Sequence, residues 1–222
     1  MRCWFTILLG ISSTTLFAQT DTYGGLFPEM ALSKSQGNWK YTLKIESQNY
    51  FYSSPALDQW KYTKKQNDLQ GFIAHKITPL ASLSVGYQYR MTNSEDNSHR
   101  LIEQLSFVQK SSLLRVGHRI RLDQTFLDEG LQLRFRYRLS LEIPLNGHSL
   151  DPKEFYLLAQ DEPIMSFEPE KQDLENRLNT AIGYVFRNHS KIQSGIDYRT
   201  DRYFIAGFRH RIWWKTGLYL KI

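Results

Sequence analysis

The residues of this chain best suited to chemistry are arginines set two apart. Arg115, Arg119 and Arg121 share a phase along one segment, Arg134, Arg136 and Arg138 along the next, and Asp123 and Glu142 keep the same phases. If the two segments pair as a hairpin, all eight side chains face one space. Such a cluster has two uses, because a guanidinium fork matches both carboxylates and phosphates. It can ladder with acids and fill a narrow interior, since buried charges need partners. Alternatively it can form an anion-selective constriction, or a site for a small phosphate or carboxylate. Basic residues outnumber acids locally, which favours some affinity for small anions. A narrow interior favours the filled ladder. Glu154, Asp197 and Arg199 are further candidates on later segments.

Other constellations are weaker. His148-Ser149 and His189-Ser190 sit beside Asn and Gly and read as turn residues. His99 and His118 are single imidazoles outside any cluster of metal-ligand spacing, and His75 and His210 read as structural. No phosphate-binding Gly-rich loop, nucleophile elbow or zinc motif is present, so no catalytic residue, metal or cofactor is assigned. The basic charges are spread over alternate positions rather than gathered on a helix or an aromatic-laced patch, which argues against a nucleic-acid partner.

The elements that must position the arginines are strands. From Trp39 onward apolar and polar residues alternate with period two. Leu131, Leu133, Phe135, Tyr137, Leu139, Leu141, Ile143 and Leu145 lie on one face, against Gln132, Arg134, Arg136, Arg138, Ser140 and Glu142 on the other. Ten such segments are predicted: 39–51, 67–77, 81–91, 99–110, 113–126, 130–145, 153–162, 172–186, 190–200 and 209–222. Most are long enough to cross a bilayer when tilted, which takes about 9–11 residues. Residues 78–80, 111–112 and 187–189 read as tight turns. The stretches 52–66, 92–98, 163–171 and 201–208 read as longer polar loops, with 127–129 the exception. Alternation of short turns and long loops is the asymmetry of an outer-membrane barrel, with the C-terminus in the periplasm and 92–98 outside. The expected fold is therefore all-β, an antiparallel up-and-down transmembrane barrel of about ten strands, with twelve as the alternative. Residues 25–34 resemble one further strand, which would break the even-number rule unless it does not span or two strands are merged elsewhere.

Composition bounds the rest. The 222 residues include 28 Lys+Arg, 22 Asp+Glu and one Cys, with mean hydropathy −0.47. That excludes a helical membrane protein, and 41% hydrophobic content excludes a disordered tail. Met1-Arg2, the apolar run Trp4 to Ile11 and the small-residue exit Leu16-Phe17-Ala18 predict a signal peptide over 1–18, cleaved after Ala18. Residues 19–38 are then an N-terminal segment carrying the extra strand, and 39–222 the barrel. Cleavage removes Cys3 and Arg2, leaving a cysteine-free exported chain that a closed hydrogen-bonded sheet would stabilise.

Alternation alone does not say which face is inside. Gly86, Gly117, Gly183, Gly195 and Gly217 all fall on the polar face, where small residues must alternate with large ones if that face lines a narrow lumen. Trp39, Tyr41, Tyr50, Phe51, Phe126, Tyr184, Phe186, Tyr198 and Trp213-Trp214 lie mostly near strand ends, where interfacial girdles belong. Both observations favour a membrane barrel over a soluble barrel or sandwich.

The run His118-Arg119-Ile120-Arg121-Leu122-Asp123-Gln124-Thr125-Phe126, followed by Leu133-Arg134-Phe135-Arg136-Tyr137-Arg138 and Leu141-Glu142-Ile143-Pro144-Leu145, resembles a known family. It is an uncharacterised domain-of-unknown-function family of small outer-membrane β-barrels frequent in Bacteroidota. Asp161-Glu162-Pro163 after Phe155-Tyr156-Leu157-Leu158, and Glu175-Asn176-Arg177-Leu178 before Ile182-Gly183-Tyr184, extend the resemblance, which covers roughly 23 to 222. The chain departs from many outer-membrane barrels in ending Leu218-Tyr219-Leu220-Lys221-Ile222 without a terminal Phe. The resemblance implies a fold and a location in the outer membrane of a Gram-negative bacterium, and no reaction or ligand. The expected partners are outer-membrane lipid, the barrel-insertion machinery and small anions. The expected role is a passive structural component or a narrow pore with an Arg-rich lumen. The alternatives are a barrel-embedded lipid hydrolase or acyltransferase, and a soluble exported barrel that binds an apolar ligand.

Overall fold

The computed structural model describes residues 21–222 apart from 55–58, 94–95, 111–113, 128–129, 148, 170 and 205–206. The expected signal peptide and its cleavage point, and His148, lie outside the described residues. The alternating segments form eleven strands: β1 (Asp21–Gln36), β2 (Trp39–Ser54), β3 (Gln59–Thr78), β4 (Ala81–Thr92), β5 (Ser98–Lys110), β6 (Arg115–Leu127), β7 (Gly130–Pro144), β8 (Phe155–Glu168), β9 (Lys171–Val185), β10 (Lys191–Asp201) and β11 (Arg209–Lys221). Each pairs with its sequence neighbours and the sheet closes between β1 and β11 into one barrel. All pairings are antiparallel except that closing seam, where Asp21↔Arg209 through Ser33↔Lys221 run parallel. An odd number of up-and-down strands leaves the first and last pointing the same way, so closure requires one parallel pair.

Segment 25–34 is thus a full strand paired on both edges, and the even-number rule fails here. Two stretches read as loops are strand instead. Residues 59–64 run past the end of β4 and pair with β2, from Ser53↔Gln59 to Asn49↔Lys64, while 163–168 continue β8 between β7 and β9. The first stretch is largely polar and the second mixes polar and apolar side chains, and a strand partner satisfies the backbone either way. Connection lengths therefore do not sort by end. The longest, 145–154, lies at the end carrying the C-terminus, together with 37–38, 79–80, 111–114 and 186–190.

The faces are those of an inside-out barrel. Outward side chains form an apolar band in which Val85 is 57%, Phe135 53% and Ile182 56% exposed. Inward side chains are polar yet buried, with Arg121 and Arg136 each 5%, Glu162 2% and Asp123 0% exposed. A lipocalin-like arrangement would have the reverse. Several polar tips on the band find partners on its surface. Tyr87–His99, Tyr137–His118 and Tyr198–His210 are three diagonal cross-strand hydrogen bonds of the same kind, and Trp214 Nε1 donates to Ser194 at 3.1 Å. Two exposed acids, Glu103 and Asp161, interrupt the band.

Apolar packing inside the lumen is local. Trp213, expected in a girdle, points inward instead and is fully buried, stacked on Tyr50 with ring centroids 4.8 Å apart and edge-on to Phe27 at 6.2 Å. Near the C-terminal end Tyr156, Leu158 and Val185 form a second cluster, joined by Leu150 and Ala181. The 145–154 connection folds over it, with Lys153 N donating to Val185 O at 2.7 Å and Val185 N to Glu154 O at 3.0 Å. The lumenal glycines make room for rings. A Cβ at Gly86 would collide with Phe72 and one at Gly183 with Tyr156, whereas one at Gly117 would meet only ordinary contacts.

Candidate functional site

β6 and β7 pair without a break from Arg115↔Glu142 to Leu127↔Gly130. In that register Arg119 lies opposite Arg138, Arg121 opposite Arg136 and Asp123 opposite Arg134, so the hairpin presents its arginines side by side. Like charges directly opposite are destabilising, and acids from other strands must separate them. All eight expected residues do face the lumen, but the groups that organise them come from β8 and β9.

Glu162 on β8 takes three guanidiniums, from Arg119 at 2.6 Å, Arg138 at 2.8 Å and Arg136 at 2.9 Å. Asp123 takes Arg121, Arg136 at 3.1 Å and Arg100 at 3.7 Å, so Arg136 bridges the two acids. Glu175 on β9 repeats the pattern with Arg134 at 2.7 Å, Arg177 at 2.8 Å and Arg211 at 3.0 Å. Arg211 continues to Asp201, which also holds Arg209 at 2.8 Å. Buried ion pairs tolerate desolvation only when further hydrogen bonds occupy each oxygen, and several donors per carboxylate achieve that here. Glu142 stands apart towards the C-terminal end, with Arg115 at 3.4 Å and Lys191 at 3.2 Å. Of the later candidates, Asp197 and Arg199 pair with each other at 2.5 Å. Glu154 joins no ion pair among the described residues.

Glu162 and Glu175 are the residues that reading the chain alone leaves out of the cluster, although both sit on inward phases of their strands. Period two marks a face. It does not say which acid on a strand 24 to 43 positions away will reach which arginine.

The charges divide the lumen into two cavities. One, of about 480 Å³, lies towards the end carrying the 93–97 and 202–208 connections, and its lining holds sixteen Lys and Arg against eight Asp and Glu. The other, of about 800 Å³, lies towards the C-terminal end. Lys44, Gln70, Arg119 and Arg121 line both. Each is tied down: Lys44 to Glu46 at 2.5 Å and to Glu29 at 3.0 Å, Gln70 to Glu46 at 2.9 Å, Arg119 to Glu162 and Arg121 to Asp123. These four residues and their acids form the septum between the two cavities. In the first cavity the buried Nε groups of Arg119, Arg134, Arg136, Arg138 and Arg211 have no hydrogen-bond partner among the described residues.

The hydroxyl and imidazole candidates are occupied structurally. Ser149 donates to Asp151 at 2.6 Å, Ser190 Oγ accepts the Lys221 amide at 3.1 Å, and His189 takes a positive φ of 59° in the 186–190 turn. No group of three or more His, Cys, Asp or Glu among the described residues is placed to hold a metal ion.

Residues 22–204 match the family model described as Protein of unknown function (DUF2490). No curated protein and no solved structure matches the chain.

Proposed function

The chain belongs to the DUF2490 family of proteins of unknown function, and we propose that it is an outer-membrane β-barrel of a Gram-negative bacterium whose lumen is shut by ion pairs. Its role is that of a passive structural component of the envelope. The observation that carries this reading is the inversion of faces, an exposed apolar band around a buried charged interior. An apolar surface that encircles a whole barrel is far larger than water-soluble monomers leave uncovered, and lipid is the solvent that suits it. Glu103 and Asp161 are tolerable exceptions, since acids cost less than Lys or Arg on a lipid face. Lipid around the band and the insertion machinery during assembly are then the partners. The septum supports the closed state. The test is heat-modifiable gel migration of the membrane fraction together with planar-bilayer recording. A compact band that shifts on boiling, with no steady conductance, is expected. Fractionation with soluble periplasm and no shift would end the membrane reading.

The excess of cations and the unpartnered Nε donors around the first cavity favour one second reading, a narrow anion-selective pore. On that reading wild-type protein conducts, and Arg134→Ala and Arg136→Ala move the reversal potential towards cation selectivity.

A further inference from the structure

The cavity at the C-terminal end departs from the rest of the lumen in two respects. Its wall is half apolar, because Phe72, Ala74 and Val108 take inward positions that carry polar side chains elsewhere, and Leu80, Leu114 and Leu150 extend that wall at the rim. Among the described residues it is also lined by cations and by no acid. The deep cations Lys44, Arg119 and Arg121 belong to the septum and are neutralised by its acids. The rim cations are not. Lys40 and Lys76 sit on neighbouring strands, where Lys40 pairs with Ala74, and neither has a carboxylate within 4 Å among the described residues. Arg115, across the mouth on β6, has only a 3.4 Å pair to Glu142 and a side chain 46% exposed, a contact of little strength in water.

We propose that this vestibule binds a single-chain anionic amphiphile, whose carboxylate or phosphate is taken by Lys40, Lys76 and Arg115 and whose hydrocarbon chain lies along Phe72, Val108 and Leu150. The cavity is of a size usual for small-molecule sites, which run to about 300–1,000 Å³. The septum bounds it, so the half-apolar wall ends where the charged interior begins and a hydrocarbon chain gains nothing by threading further. A small hydrophilic ion would leave the apolar wall unused, and a neutral lipid would leave the rim lysines unanswered. The inference does not depend on where the barrel resides, since it uses only the inner wall.

Native mass spectrometry of the full chain released from a neutral detergent tests it. The probes are palmitate, a lysophosphatidate, palmitoyl methyl ester and inorganic phosphate, with wild type beside a Lys40→Gln/Lys76→Gln double variant. Heat-modifiable migration of each preparation establishes that it is folded. Palmitate and lysophosphatidate adducts at one per barrel are expected, and the comparison between them distinguishes a free acid from a lipid headgroup as the source. The double variant should bind them about tenfold more weakly or worse, and Val108→Asp should weaken them while the rim charges remain. Equal retention of the methyl ester, or unchanged binding in the folded double variant, would overturn the proposal. So would full displacement of palmitate by inorganic phosphate, which would reduce the site to an ion trap.

Discussion

The two ends of the lumen are built from the same alternating strands and reach opposite electrostatic outcomes. Towards the 202–208 end, Glu162, Asp123, Glu175 and Asp201 each hold two or three cations, so a surplus of arginine is compatible with burial. Towards the C-terminal end the interior is filled on one side by Tyr156, Leu158 and Val185, and on the other lies an open vestibule with uncompensated lysines. Having a polar inner face therefore does not determine whether a barrel is plugged. What decides it is how many acids reach each layer of cations, and from which strands.

Substitutions can break or sharpen that contrast. The largest effect is expected for Glu162→Gln, which leaves Arg119, Arg136 and Arg138 facing one another in a buried layer. Removing one partner from a buried ionic group costs about 3–5 kcal/mol, readable as earlier loss of the compact gel band with heat or urea. An unchanged midpoint would show that water screens the cluster and that the two ends do not differ. Arg136→Met comes next. It strips a donor from both Asp123 and Glu162, and should cost about 3 kcal/mol, while Arg138→Met, half-buried and bound only to Glu162, should cost clearly less in the same unfolding assay. Gly183→Val tests the apolar side of the vestibule end, where the new side chain would drive into the Tyr156 ring at about 1–3 kcal/mol. Gly117→Ala, where a Cβ meets only ordinary van der Waals contacts, is its neutral control in parallel melts. The smallest effect belongs to Lys40→Gln/Lys76→Gln, expected within about 0.5 kcal/mol of wild type because no partner is lost. A larger loss would mean that the rim lysines stabilise the barrel rather than await a ligand.

Much of this was legible along the chain because period two states, residue by residue, which face a side chain takes. The phases of Arg119, Arg121, Arg134, Arg136 and Arg138, and the placing of Gly86 and Gly183 on the inner wall, follow from it directly. Strand number and partner choice do not. Segment 21–36 carries Gly24, Gly25 and Pro28, which weaken a local strand signal, and its pairing with β11 depends on residues almost two hundred positions away. Trp213 shares the inward phase of Arg211 and Trp214 the outward phase of Ile212, so period two separates them although their place near a strand end suggests a girdle for both. The stretch 52–66 was polar enough to read as a loop, because polarity marks contact with water and a projecting hairpin has as much of it as a loop does. Glu162 and Glu175 act on arginines they meet only through closure.

The parallel seam has a kinetic meaning. Every other pairing joins strands next to each other in the chain and can form as each hairpin emerges, at small loop-closure cost. The seam brings Asp21 to Phe208 and Arg202, including an ion pair at 2.6 Å across 181 positions. Contacts of such sequence separation form late. Until the last strand arrives, β1 and β11 are two open sheet edges with unpaired amides, the surfaces on which chains aggregate. The rate at which this barrel escapes that exposed state is therefore governed by a single step, the meeting of its first and last strands.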